Sequence, residues 1–298
     1  MERVRPSIPK PHPPRNCTMS IDHLPISFSG APGAFSEEAS RRFFGKECGT
    51  LTTPDLKSAL GAVEDGRCRA AVIAVENSIT GCFGGVADAL GDSGLEVTGE
   101  VVLPIRHCLM AIPGARMEGL TEVVSHPSAL GQCRDWIAKV GLAQRAADDT
   151  AAAAQDLLAS GSTGCAVLGS RTLSQIYGLE VLAEGLSDHA ENVTRFLVLE
   201  RPRDASELKS ETFSPRGQVR SAILVGPVDE PRALRNLRIG LESLDATRVR
   251  APFLGTRDGR NFVVEFDHPA DRATEIAATV LSKLPWRKLG TWTQRRAS

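Results

Sequence analysis

Ala70 to Val75 reads AAVIAV, six apolar residues in a row, and the run ends in Glu76 and Asn77. A strand with one face in water alternates apolar and polar residues. An unbroken run marks a strand covered on both faces. Such a strand needs flanking helices, and the neighbouring sequence supplies them. Ile26 to Gly30 reads as a strand entering a glycine turn, and Glu37 to Phe44 as a helix. After the break at ITGCFGG, Val86 to Leu90 resumes as a helix. Leu95 to Ile112 is β-rich with a break at Pro104. VVSH ends a strand, and Pro127 opens a helix that Gly141 stops. DDTAAAAQDLLASG reads as the next helix, capped by Asp148 or Asp149. CAVLGS, RTLSQIYG and LEVLAEGL continue as strand, helix and strand. Alternating strands and helices predict an α/β domain.

From Arg201 to Gln218 the chain is polar and aperiodic, which predicts a linker over 201–217. Beyond it the order becomes βαββαβ, a two-layer unit of the ferredoxin-like kind over 218–298. A length of 298 residues suits this division. The first 24 residues are rich in Pro and Arg and lack an apolar signal core, so they read as a disordered tail; a transit peptide fits the basic charge but not the weak amphipathic pattern. Met19 is an alternative start.

The net charge of −1 gives no footprint for nucleic acid or an anionic membrane, and no apolar run is long enough to span one. Seven scattered cysteines, an odd number with no CxxC, fit reduced thiols better than disulfides or a zinc site. The expectation is a cytoplasmic protein with no metal and no cofactor.

In open α/β sheets, ligands bind beyond the carboxyl ends of strands. Polar clusters fall there: Gly30 to Ser36, Glu76 to Gly81, Ser125 to Cys133, and Asp148 to Thr150. Asn192, Thr194 and Arg195 instead lead into a strand. Singly, each has a plain structural reading as a turn, a helix cap or a solvated position. His126 has no partner at metal spacing. There is no phosphate loop, nucleophile elbow or dinucleotide fingerprint. What remains is a hydroxyl, amides, one arginine and helix starts, groups that bind anions and hydrogen-bond a leaving group.

The motifs GAPGAFSEEA, VENSITGCF, VVSHPSALGQC, DDTAAAAQ and ENVTRFLVL, in this order and spacing, resemble the prephenate dehydratase family, including the plant-type arogenate dehydratases. The resemblance covers about residues 25 to 200. It implies two α/β subdomains facing across a cleft, as in periplasmic binding proteins. The implied reaction is loss of carbon dioxide and water from prephenate, or from arogenate to give phenylalanine. It places the catalytic hydroxyl on Thr194, with Glu76, Asn77, Ser78, Ser125, His126, Gln132, Arg195 and Phe196 around the substrate. Ser36 and Thr150 join them from the clusters above. Alternation in the strand would aim Thr194 into the cleft and Arg195 away from it. The final segment is similar to an ACT domain, which implies a homodimer or homotetramer. Its effector motifs are altered at Pro231, Arg232, Ala233 and Leu234, and at 249–252. This predicts weak or absent phenylalanine feedback. Two other readings stay open: a non-aromatising prephenate decarboxylase, and a non-catalytic amino-acid-responsive binding protein.

Overall fold

The computed structural model describes residues 21–147, 149–202, 218–226, 231–251, 261–279, 281 and 285–293. Most of the expected tail and of the expected linker lies outside these residues; the tail's described end is ordered, with a 3-10 turn over Ile21–His23 and Asp22 meeting Arg69. The chain opens with β1 (Ile26–Ser29), α1 (Phe35–Phe44), β2 (Thr50–Thr53), α2 (Leu56–Glu64) and β3 (Ala70–Asn77). A short β4 (Gly81–Cys82), α3 (Val86–Asp92) and β5 (Glu96–Pro104) follow. The chain then crosses to a second sheet. Its elements are β6 (Cys108–Ala111), β7 (Glu122–Ser125), α4 (Pro127–Gln132), α5 (Arg134–Val140), β8 (Ala143–Ala146), α6 (Thr150–Ser160), β9 (Cys165–Gly169), α7 (Arg171–Tyr177) and β10 (Glu180–Glu184). It returns to the first sheet as β11 (Val193–Glu200). The last unit holds β12 (Gln218–Val225), α8 (Pro231–Glu242), β13 (Thr247–Arg250), β14 (Phe262–Pro269), α9 (Ala273–Thr279) and β15 (Trp286–Trp292).

The five-stranded sheet runs β10-β6-β9-β7-β8. The ten-stranded sheet runs β13-β14-β12-β15-β5-β11-β3-β1-β2, with β4 against β3. The strand expected to be covered on both faces is so: Ala70 to Ile73 in β3 are buried, with Val72 in one apolar cluster and Ala71 and Ile73 in another. Thus the α/β expectation holds, and the last four strands adopt the ferredoxin-like order.

That unit is continuous with the first sheet. β15 pairs parallel to β5 at Gly290 and Val97. A Cβ on Gly290 would stand 2.1 Å from the Val97 carbonyl oxygen, so only glycine permits the approach. Leu289, Trp292, Ala222 and Val263 share one buried cluster with Ile73, Val97 and Leu197.

Two segments cross between the sheets, and they are tied together: Ile105 donates its N–H to the Asn192 carbonyl (2.8 Å), and Leu186 to that of His107 (3.2 Å). The lobes therefore meet along a double crossover, with a cleft beside it.

Candidate active site

The cleft holds about 390 Å³. The ten-stranded lobe contributes the turn 30–36, Ala74, Thr194 and Phe196. The other lobe contributes His126, Ser128, Gln132, Asp149, Thr150 and Ser170, and His107 stands at the crossover. A wider surface hollow of about 940 Å³, beside Arg41, Arg42 and Arg171, contains none of these groups. Ser170 donates its hydroxyl to the Gly33 carbonyl across the lobes (2.5 Å). Gly33 has φ +85°, and a Cβ there would stand 2.8 Å from Leu173 Cδ1. Glycine at this position lets the lobes close.

Thr194 is 6% exposed and pairs in register with Asn77. A chain of hydrogen bonds sets the direction of every proton around it. Asn77 Oδ1 accepts from the backbone N–H groups of Ile79 (2.9 Å) and Thr80 (3.0 Å). Backbone amides only donate, so Asn77 Nδ2 must be the donor end. It reaches Thr194 Oγ1 (3.0 Å), Asn192 Oδ1 (2.8 Å) and the Val193 carbonyl (3.1 Å). Asn192 Nδ2 then donates to Gln132 Oε1 (2.9 Å), so His107 Nε2 also donates to that oxygen (2.8 Å). His107 carries its proton on Nε2, and its buried Nδ1 has no hydrogen-bond partner among the described residues. Burial pushes this imidazole below its ordinary value, although Gln132 pulls the other way. Thr194 Oγ1 receives a hydrogen bond from behind, and the described hydrogen bonds give its own proton no acceptor, which leaves it for the cleft. The Gln132 amide nitrogen is likewise left as a donor.

Several expected site residues sit behind the cleft. Ser78 Oγ donates to the Glu191 carbonyl and accepts from Val193 N–H, both at 3.0 Å, so it pins the start of β11. Ser125 donates to the Leu168 carbonyl (2.6 Å) and lies 3.2 Å from Thr150 Oγ1. Thr150 lines the cleft in its place. His126 lines it too, with Nδ1 accepting from Ser128 N–H (3.1 Å). Phe196 forms its apolar wall, and Ser36 lies at its edge in the first turn of α1.

Glu76 and Arg195 require a correction as substrate-binding groups. Both point to the opposite face of the sheet, as alternation along β11 demands. Arg195 Nε meets Glu100 (3.1 Å) and Nη2 meets Glu265 (2.5 Å). Glu76 meets Arg250 (3.2 Å), which also meets Glu265 (3.1 Å). Arg220 joins Glu100 to Asp267. Burial works against the Arg195 charge, but Glu265 and Glu100 outweigh it and hold the guanidinium above its ordinary value. This network joins the Thr194 strand to the last unit of the chain. Leu234 packs into the core of that unit, whereas the side chains of Pro231, Arg232 and Ala233 lie outside the described residues.

The helix expected over 127–141 is two helices. Asp188 accepts from the N–H groups of Asp135 (3.1 Å) and Trp136 (3.2 Å), capping a fresh start at α5. The break leaves Gln132 at the end of α4, against the crossover. Beside it, burial with Asp188 nearby pushes the Cys133 thiol up to about 12, which removes it as a nucleophile.

His107 and Ser170 had no site role in the sequence reading, and Asn192 and Asp149 stood in polar clusters without an assigned role. The histidine was hidden inside an apolar β-rich run, the other three among strand leads and caps.

The family profile of prephenate dehydratase matches residues 26–204. The chain is 41% identical over 185 residues to arogenate dehydratase 3, chloroplastic, of Arabidopsis thaliana, which covers 61% of this chain and 43% of that one. The chain thus spans about half the length of the curated relatives it matches. Among solved structures, a prephenate dehydratase from Arthrobacter aurescens in complex with L-Phe aligns with a TM-score of 0.78 and 25% identity, over 92% of each chain. A chain described as GqqA, a novel type of quorum quenching acylase, aligns with a TM-score of 0.76 and 26% identity, over 91% of this chain and 98% of that one. The cytoplasmic expectation is overturned. The Arabidopsis relative and others of its kind are named as chloroplastic proteins. Cysteine usage reports a reducing compartment and does not distinguish one such compartment from another.

Proposed function

Because the chain belongs to the prephenate dehydratase family, we propose that it catalyses the decarboxylating dehydration of prephenate or arogenate in phenylalanine biosynthesis. The observation that carries this reading is the hydrogen bond from Asn77 Nδ2 to Thr194 Oγ1. With its lone pair engaged, the threonine directs its proton at the substrate.

Either substrate bears a hydroxyl at ring C4, and both a carboxylate and the side chain at C1. As the C1–carboxylate bond breaks, its electron pair enters the ring, the double bonds shift, and the C4–oxygen bond breaks. Carbon dioxide departs, and the hydroxide leaves as water with the Thr194 proton. Water restores that proton to the threonine. A threonine hydroxyl is a weak acid, so its role is a strong hydrogen bond that becomes a proton transfer late in C–O cleavage. Aromatisation supplies the driving force.

No lysine or arginine stands among the described lining residues of the cleft. The carboxylate to be lost therefore meets amides and helix-start N–H groups, such as the start of α1, which has no side-chain cap. An ion pair to it would stabilise the ground state and slow its loss. The network behind β11 holds Thr194 in register without touching the substrate.

The C-terminal unit is proposed to pair subunits and, given the altered residues at Arg232 and 249–252, to bind phenylalanine weakly or not at all. Calorimetry showing tight phenylalanine binding would remove that part. The test of the function is incubation with each substrate and identification of the product by mass. Phenylpyruvate or phenylalanine supports it. A non-aromatic decarboxylated product points to the decarboxylase. No product from folded protein contradicts catalysis.

A further inference from the structure

Asp149 is the one carboxylate among the described residues that line the cleft, and no lysine or arginine stands with it. The described hydrogen bonds engage its Oδ1 alone, which caps α6 by accepting from Ala152 N–H (2.6 Å). The two lining imidazoles add no fixed positive charge. His107 keeps its proton on Nε2 toward Gln132, and His126 Nδ1 is occupied as an acceptor. The fixed formal charge in the cleft is therefore negative, an unusual environment for a doubly anionic substrate.

Thr194 belongs to β11 in one lobe and Asp149 to the start of α6 in the other. The leaving hydroxyl and the C1 side chain occupy opposite ends of the substrate ring. With its hydroxyl at Thr194, the ring can direct its side chain across the cleft to the lobe that carries Asp149. That side chain ends in an α-keto acid in prephenate and in an α-ammonium acid in arogenate. Resting on the dehydratase reading above, we infer that Asp149 is the specificity-determining residue. Its second carboxylate oxygen receives an α-ammonium group, and its charge repels the side chain that lacks one. The cleft thus selects the amino acid over the keto acid.

A charge-assisted hydrogen bond is worth about tenfold or more in affinity. The test measures kcat and KM for both substrates with the full chain and with Asp149→Asn, which keeps an oxygen for the Ala152 cap. Asp149→Ser, another capping residue, repeats the test should the first variant misfold. In the wild type, kcat/KM is expected to favour arogenate by about tenfold or more. In the variants the arogenate value falls, mainly through KM, and the prephenate value rises, so their ratio drops about tenfold or more. A purely structural role for the cap would lower both values together and leave the ratio in place. A smaller change in the ratio, or a wild type that prefers prephenate, overturns the inference while leaving the dehydratase reading intact. Turnover of neither substrate by the wild type overturns both.

Discussion

Asn77 and Thr194 face each other across the β3–β11 pair, and the amide of one donates to the hydroxyl of the other over 3.0 Å. Backbone N–H groups from Ile79 and Thr80 fix the amide's orientation, so the polarity of this bond is built into the turn after β3.

Asn77→Asp keeps the acceptor for that turn and replaces the donor with a second acceptor. The Thr194 proton then turns inward, away from the substrate. We expect kcat to fall about a hundredfold, in the range seen for loss of one preorganised donor, with KM changing far less. Steady-state kinetics checks this split.

Arg195→Met should act on stability and leave substrate binding largely in place. The arginine sits behind the sheet, and its loss leaves the buried carboxylates of Glu100 and Glu265 with one arginine each, Arg220 and Arg250. Breaking a buried pair from one side costs about 3–5 kcal/mol. Because each carboxylate keeps a second arginine, denaturant titration should show a loss of at most this size, and KM measured on the folded fraction should stay within about threefold of wild type. A tenfold rise in KM at unchanged stability would return Arg195 to the substrate.

His107 gives a pH dependence of known sign. Burial lowers its pKa in the folded state, so below the ordinary histidine value the unfolded chain binds a proton that the folded chain refuses. Stability contributed by the neutral form is present above that value and is lost as pH falls toward the folded pKa. Between pH 7.5 and 5.5 the wild type should lose more stability than His107→Gln, at a slope of at most about 1.4 kcal/mol per pH unit. His268 is also lowered and is present in both proteins, so the difference isolates His107.

Gly33→Ala places a methyl group against Leu173 and forces a side chain into φ +85°. The left-handed conformation alone costs about 1–2 kcal/mol. The clash also opposes contact between the lobes at Ser170, so kcat/KM should fall more than stability does. Comparing the melting transition with kcat/KM checks this.

Much of this layout was legible in the sequence. The AAVIAV run announced a doubly covered strand, and alternation in β11 already separated Thr194 from Arg195. Elements without an apolar pattern were missed. β2, TLTT, lies at the sheet edge, and β8, AQRA, is exposed throughout, so neither carries the alternation that marks a strand. The split between α4 and α5 was hidden because its cap, Asp188, comes from a distant segment. The asparagine and glutamine relay escaped for the same reason. Asn77 and Asn192 are 115 positions apart, and only the crossover brings them together. Glu76 and Arg195 were grouped with the substrate residues by motif adjacency, although neighbouring strand positions face opposite ways.

The most direct test of the central claim compares kcat for the wild type and Thr194→Val on whichever of prephenate and arogenate the wild type turns over. Valine matches threonine in shape but has no proton to give. The account predicts a folded variant with a normal melting transition and kcat reduced by about a hundredfold or more. Turnover within about threefold of wild type would remove the Thr194 hydroxyl from the chemistry.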